Sequence, residues 1–205
     1  KISPNKLAKE IFHIERVLEK NDGGWQDQIM SSYGGLLKIR IDKKGKFYVK
    51  KIKLKKEIRN KIENSLILVY SDISRNSSRI IKNQRNNIGK NKIISLYDKI
   101  KGKVNLFEKY LLEGNISLMG RTFDDHWKIK KKLSNLISNS NLDKIYLRLM
   151  KSGHFYGGKI IGAGGGGFFL MIMKNKKKSI KFLKNKKLNF LNLKLTDTGS
   201  KIIYK

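Results

Sequence analysis

Residues Gly162-Ala163-Gly164-Gly165-Gly166-Gly167 form a glycine run broken only by one alanine. It lies between two apolar segments, Lys159–Ile161 and Gly167–Met173, whose short length and branched or aromatic content read as strands. A backbone of consecutive glycines adopts turns closed to other residues. It also leaves its N–H groups uncovered, so a loop of this kind can line a phosphate or a sugar. Two phosphate-binding architectures are excluded. No Gly-Lys-Ser/Thr follows the run, as a Walker loop requires, and a strand rather than a helix follows it, unlike the dinucleotide fingerprint. The alternative is a flexible linker, although linkers are seldom framed by apolar strands.

The remaining periodicities surround this loop with both kinds of element. Ser3 and Pro4 open an amphipathic helix over Pro4–Lys20, with Leu7, Ile11, Ile14 and Leu18 at three- and four-residue steps. Asn21–Gly24 breaks it, and a short helix over Trp25–Tyr33 ends at Gly34-Gly35. Leu36–Ile41 and Lys46–Ile52 alternate around Asp42–Gly45 as a hairpin. Leu66–Tyr70 reads as a strand, and Ser74–Asn87, Asn91–Asn115, Ser117–Leu136 and Asn141–Lys151 read as helices. Ile180–Lys186 adds a helix, and Asn189–Leu195 and Lys201–Tyr204 add strands. Strands and helices alternate in no strict βαβ order, which predicts an α+β fold with helices packed on one face of a sheet.

Composition narrows the class. A chain of 205 residues allows one sizeable domain, or one and part of another. There is no cysteine, so neither a disulfide framework nor a thiolate metal site is available. The longest apolar stretch, Phe168–Met173, is far shorter than a spanning helix, and residues 1–30 lack a signal-peptide pattern. These features lead us to expect a cytoplasmic protein with no membrane partner. The first residue is lysine, and the chain reads as part of something longer.

With 47 Lys and Arg against 16 Asp and Glu, the net charge is +31. Nucleic-acid binding is one reading of such a charge. The basic residues are mostly lysine, spread along the whole chain and mixed with Ile and Asn, whereas base-edge readout favours arginine. We therefore read the charge as a solvated lysine-rich surface and expect no specific nucleic-acid partner.

Four further clusters carry candidate chemistry. In Gly23-Gly24-Trp25-Gln26-Asp27-Gln28, two glycines allow a sharp turn, and Asp27 falls in the first turn of a helix, where a carboxylate is favoured. Such an Asp can accept a proton from an attacking hydroxyl, or it is a helix-start Asp with no chemistry. Glu15 lies twelve residues earlier, across the turn, where a helix–turn–helix arrangement brings both carboxylates to one Mg²⁺ site; alternatively it pairs with Arg16 or Lys20 at the surface. Tyr70–Ser78 places Arg75 and Ser77 at a helix start, either as a phosphate site or as an ordinary cap. Asp124-Asp125-His126-Trp127 is a weak metal candidate or a helix-surface cluster.

These pieces together resemble the C-terminal part of the GHMP kinases, the superfamily of galactokinase, homoserine kinase, mevalonate kinase and phosphomevalonate kinase. Within it the chain is most like the D-glycero-D-manno-heptose 7-phosphate kinases. The carrying residues are Gly23–Gln28, Tyr33–Gly35, Tyr70–Ser78, His126–Leu133 and Lys159–Phe168. The resemblance implies that Asp27 is the catalytic residue that engages the sugar hydroxyl and that Glu15 helps hold Mg²⁺. It implies that Gly162, Ala163, Gly164, Gly165, Gly166 and Gly167 form the loop beside the nucleotide and sugar phosphates. Gly24, Trp25, Gln26, Arg75 and Ser77 are then expected to bind substrate. The implied fold has an N-terminal ribosomal-protein-like domain, truncated here to residues 1–60, and a ferredoxin-like C-terminal domain over 61–205. The implied reaction moves the ATP γ-phosphate to a hydroxyl, the anomeric one, of a heptose 7-phosphate or related sugar. The alternatives are an inactive remnant or sugar-binding module and, further off, a basic nucleic-acid binder.

One departure stands out. The family's Pro-x-x-x-Gly-Leu-Gly-Ser-Ser loop, which cradles the ATP phosphates, has no counterpart in residues 1–205. Phosphoryl transfer depends on positioned donors around those phosphates. The isolated chain is therefore expected to turn over no ATP above background; robust turnover in a coupled ADP-release assay would contradict this.

Overall fold

The structure, a computed structural model, describes residues 2–201 and 203. The chain forms two compact units, residues 1–54 with 194–205, and residues 55–193.

In the first unit, α1 (Pro4–Phe12) is capped by the Ser3 hydroxyl accepting from the Lys6 amide. The helix does not run on as an α-helix to Lys20. From His13 to Leu18 it widens into a π-helical turn, with the Glu19 N–H donating to the Ile14 carbonyl at 2.9 Å. The wider turn takes Ile14, Val17 and Leu18 out to solvent, 49%, 52% and 64% exposed. The expected apolar stripe is thus lost beyond Phe12. Helix α2 (Gln26–Tyr33) and the hairpin β1 (Leu37–Ile41) and β2 (Phe47–Lys51) complete the unit. The hairpin agrees with its sequence signal, because Asp42 Oδ1 accepts from the amides of Lys44 and Lys46, both at 2.9 Å, and holds the turn. Ala8, Ile29 and Phe47 form the core, with Trp25, Tyr33 and Val49 packed around it. At the other end of the chain, Ser200 donates from both its amide and its hydroxyl to the Ser31 carbonyl.

The second unit opens with α3 (Lys56–Ser65), for which the sequence offers only Ile58 and Ile62 as an apolar repeat, and runs directly into β3 (Leu66–Tyr70). Helices α4 (Ser77–Asn87), α5 (Asn91–Glu113), α6 (Ile116–Lys130) and α7 (Ser140–Lys151) follow. Strands β4 (Phe155–Ile160) and β5 (Phe168–Met173), helix α8 (Lys176–Asn185) and strand β6 (Phe190–Asn192) complete it. The sheet order is β4-β5-β3-β6, every neighbour antiparallel. Side chains alternate across it, so Ile67, Val69, Phe169, Met171 and Met173 share one core with Trp127, Tyr146, Leu149 and Leu183.

Several boundaries move, each for a local reason. Helix α4 starts at Ser77 rather than Ser74 because Asn76 is its cap, its side chain accepting from the Arg79 amide. Helix α6 stops at Lys130 rather than Leu136; the turns beyond it bury Leu133 and Ile137 and hydrogen-bond the Ser134 hydroxyl to Asn83. Strand β6 covers only the middle of Asn189–Leu195. In the expected strand Lys201–Tyr204, residues 202 and 204 lie outside the described residues, and Lys201 and Ile203 are not in a strand.

Strand β4 begins at Phe155, seven residues before the glycine loop, rather than at Lys159, because Gly157 and Gly158 belong to it. Helix α6 lies on that strand with Gly120 against Gly157. A methyl group on Gly120 would strike Tyr156 Cβ, and one on Gly157 would strike the Gly120 carbonyl. Gly120→Ala is expected to cost about 1–3 kcal/mol through overpacking. Thermal denaturation followed by circular dichroism should show a fall of about 2–4 °C per kcal/mol; an unchanged melting temperature would mean that helix and strand can part freely.

Candidate active site

The sequence-predicted residues divide between the two units. In the first, the π-helical turn carries Glu15 and Arg16, and the Gly23-Gly24 turn leads into α2. Gln28, buried in α2, donates from Nε2 to Glu15 Oε2 at 2.7 Å. The Arg16 guanidinium stands 3.4 Å from the same oxygen and packs over Gly23, where a Cβ would fall 2.6 Å from Cζ. Glu15 is therefore tied to the residue after Asp27. Asp27 itself is exposed on the first turn of α2. Gly24 and Gln26 are exposed beside it. Trp25 is a packing residue, its ring flat on Phe12 with centroids 3.6 Å apart and tilted against Phe47 at 5.0 Å.

Glu15 suits Mg²⁺ as a single ligand, since both its neighbours take Oε2 and leave Oε1 as the second oxygen. Mg²⁺ in phosphate sites usually needs only one or two carboxylates, with phosphates and water completing the shell. Among the described residues no group of three or more His, Asp and Glu side chains could hold a metal ion. In the Asp124-Asp125-His126 cluster, Asp124 takes Lys128 at 2.6 Å and meets the Tyr146 hydroxyl at 2.8 Å, and Asp125 takes Lys103 at 2.9 Å. Burial and the Asp124 carboxylate raise the Tyr146 phenol, which stays protonated between Asp124 and the Gly158 carbonyl.

In the second unit the glycine loop joins β4 to β5 and is a packed turn. Gly162, Gly164, Gly165 and Gly167 hold φ of 70°, 106°, 74° and 85°, all in the region that glycine favours. Two of the amides that were expected to face a ligand are used internally. Gly165 N–H donates to the Ile137 carbonyl at 2.7 Å and Gly167 N–H to the Ile73 carbonyl at 3.0 Å. Arg75 braces the loop from behind, its guanidinium donating to the Gly166 carbonyl and, at 3.5 Å, to the Ile161 carbonyl. Gln84 holds the Ala163 carbonyl at 3.2 Å. Ser77 is exposed on the first turn of α4. Gly162 is the exposed corner of the loop, and Lys130 donates to its carbonyl at 2.5 Å.

Three side chains in these surroundings were given no role by the sequence reading, Gln28, Lys130 and Lys159, whereas Arg16 was read as a partner of Glu15 and stands beside it. The signals existed. Lys159 is a lysine inside an apolar strand, and Phe123, His126 and Lys130 follow Gly120 at three- and four-residue steps on one helix face. Arg75→Ala should free the loop, so the amides of Gly165 and Gly167 should exchange with deuterium about tenfold faster or more while those of α7 keep their protection. Unchanged exchange at both glycines would show that Arg75 braces nothing.

Residues 107–185 match the family model described as GHMP kinases C terminal. The chain is 26% identical over 159 residues to the D-glycero-alpha-D-manno-heptose 7-phosphate kinase of Campylobacter jejuni subsp. jejuni serotype O:2, a span covering 78% of this chain and 47% of that protein. The chain thus spans about half the length of the curated relative it matches. Among solved structures, it resembles a D-glycero-D-manno-heptose 1-phosphate kinase from Bacteriodes thetaiotaomicron, with a TM-score of 0.65 and 19% identity over 99% of this chain and 57% of that one. It resembles the Methanococcus jannaschii mevalonate kinase equally well, with a TM-score of 0.68 and 22% identity over 96% of this chain and 57% of that one. At such identities the structural likeness establishes the fold alone, a mixed helix-and-sheet architecture like that of these kinases. Residues 107–185 of this chain are thus similar to the C-terminal domain of the GHMP kinases.

Proposed function

We propose that the chain is the C-terminal part of an ATP-dependent sugar kinase, which moves the γ-phosphate to a hydroxyl, the anomeric one, of a heptose 7-phosphate or related sugar. The observation that carries this reading is the braced glycine loop between β4 and β5, within the segment that matches the GHMP kinases. The heptose 7-phosphate kinase of Campylobacter supports the substrate class. The order β4-β5-β3-β6, with α8 between β5 and β6, supports a ferredoxin-like reading of the expected 61–205 domain as far as residue 193, while residues 194–205 group with the first unit. Residues 1–60 are then the part of the N-terminal domain that carries the catalytic Asp.

In this reading Asp27 accepts the proton of the attacking sugar hydroxyl, or orients it, from an exposed helix start. Glu15, steadied by Gln28 and Arg16, offers one carboxylate oxygen to Mg²⁺. The ion would supply charge neutralisation for the transferring phosphoryl group. Gly24 leaves room for a ligand, with nothing within 4 Å of where a Cβ would stand, and Gln26 offers an exposed amide beside it. Trp25 supports this turn from beneath by stacking on Phe12. Gly162–Gly167 presents a fixed backbone to the phosphates, and Arg75 and Ser77 serve the distal phosphate, Arg75 through the loop it holds.

The test is a chimera in which the N-terminal part of the Campylobacter heptose 7-phosphate kinase precedes residues 1–205. It should phosphorylate heptose 7-phosphate, and Asp27→Asn should lower kcat by about 10²–10⁴-fold with little change in substrate binding. A folded chimera with no kinase activity, or one indifferent to Asp27→Asn, would overturn the reading.

A further inference from the structure

Basic side chains of the second unit converge where α6 ends and the glycine loop begins. Helix α6 touches β4 backbone to backbone at Gly120 and Gly157, and the two elements run on in the same direction. One turn along the helix, the Phe123 ring lies under Lys159, whose Nζ is 4.7 Å from its centroid. Further on, His126 and Lys130 follow on that face, and Lys130 reaches the Gly162 carbonyl. Arg75 arrives from the segment before α4 and binds only loop carbonyls.

All four basic side chains are half-buried, and among the described residues no carboxylate is bonded to any of them. The nearby acids of α6 are engaged elsewhere, Asp124 with Lys128 and Tyr146 and Asp125 with Lys103. His126 Nδ1 is buried with no partner. The crowding disfavours the charged forms. Burial, then Lys159 and Arg75, hold Lys130 down to about 8; burial, then Lys159, Lys130 and Lys103, hold His126 down to about 3. Burial lowers Lys159 as well. Cations gathered out of water without a counter-charge destabilise a fold unless an anion joins them.

We propose that Lys130, Lys159 and the Gly162 corner of the loop, with His126 behind them, form a binding site for a phosphate monoester. Two ammonium groups match a dianion, lysine binds phosphate as a point charge, and His126 supplies a neutral ring that donates or accepts a hydrogen bond. The exposed Gly162 leaves the mouth open to solvent. The anion site rests on the placement of these side chains along α6, β4 and the loop; assigning its phosphate to a sugar rather than to a nucleotide rests on the sugar-kinase reading.

The test is calorimetric titration of the chain with inorganic phosphate, mannose 6-phosphate, mannose and ATP at about 0.15 M salt, where long-range surface charge is screened. Phosphate and mannose 6-phosphate should bind saturably and mannose should not. Lys130→Met and Lys159→Met should each weaken binding about tenfold, the loss of one charge-assisted hydrogen bond. The control variant Lys177→Met/Lys178→Met, two exposed lysines of α8, should leave binding within about twofold. Because each single variant removes a crowded charge and keeps the apolar stem, both should melt at or above the temperature of the parent chain, which separates lost binding from lost folding. ATP binding that falls in the same variants, without mannose 6-phosphate binding, supports the site and assigns it to a nucleotide phosphate. Absence of binding by any phosphate overturns the proposal, as does binding untouched by Lys130→Met and Lys159→Met or weakened as much by the α8 control. A kinase-active chimera with such a result would keep the sugar-kinase reading without this site, and an inactive chimera with lysine-dependent phosphate binding would keep the site alone.

Discussion

The second unit depends on the place where α6 meets β4 with no side chain between them. Helix–sheet packing normally stands off by the height of the intervening side chains. Gly120 and Gly157 remove that height, and everything downstream follows from the lowered helix. The Phe123 ring slides under Lys159, the Tyr146 hydroxyl sits between Asp124 and the strand carbonyl of Gly158, and Lys130 ends level with the loop. A helix raised by one methyl group would carry the same residues and position none of them. The glycines of β4 thus matter as much as those of the loop, though they contribute no chemistry.

Much of this architecture was legible because it obeys local rules. The hairpin at Asp42–Gly45 announces itself by a turn residue between alternating segments, and α7 shows Leu142, Tyr146 and Leu149 on one face behind an Asn139 cap. The glycine loop was visible through the contrast with its flanks. The losses were all tertiary. Gly157-Gly158 looks like a strand breaker until a helix lies on it, and the π-helical turn at His13–Leu18 follows an apolar repeat that an α-helix would satisfy equally well. For the site, type and spacing singled out Asp27 and Glu15 only as candidates, while Gln28, which ties Glu15 to α2, carries no charge to draw the eye. Arg75 was noticed as a ligand for phosphate, yet its guanidinium holds loop carbonyls, a role that only coordinates reveal.

The charge of +31 illustrates the same limit. In composition, Lys177 and Lys159 are the same letter. In the fold, Lys177 is a solvated group on the outside of α8, whereas Lys159 lies over an aromatic ring beside Lys130 and below its ordinary ionisation range. Screening by salt erases the first kind of charge and leaves the second. The informative lysines are Lys130 and Lys159, which burial holds below the ordinary lysine range and which lie beside the loop.

The hydrogen bonds from Ser200 to Ser31 close a separation of 169 residues. They make the first unit discontinuous, with the whole of residues 55–193 inserted between its pieces. During synthesis the inserted unit is complete before residue 194 is joined, whereas the outer one waits for the residues that follow it. Folding the insert first also shortens the effective loop that Ser200 must close, which lowers the entropic barrier to that step. The order of organisation therefore runs against the order of the sequence: the segment bearing Asp27 precedes the insert yet completes its contacts only after the insert has been made.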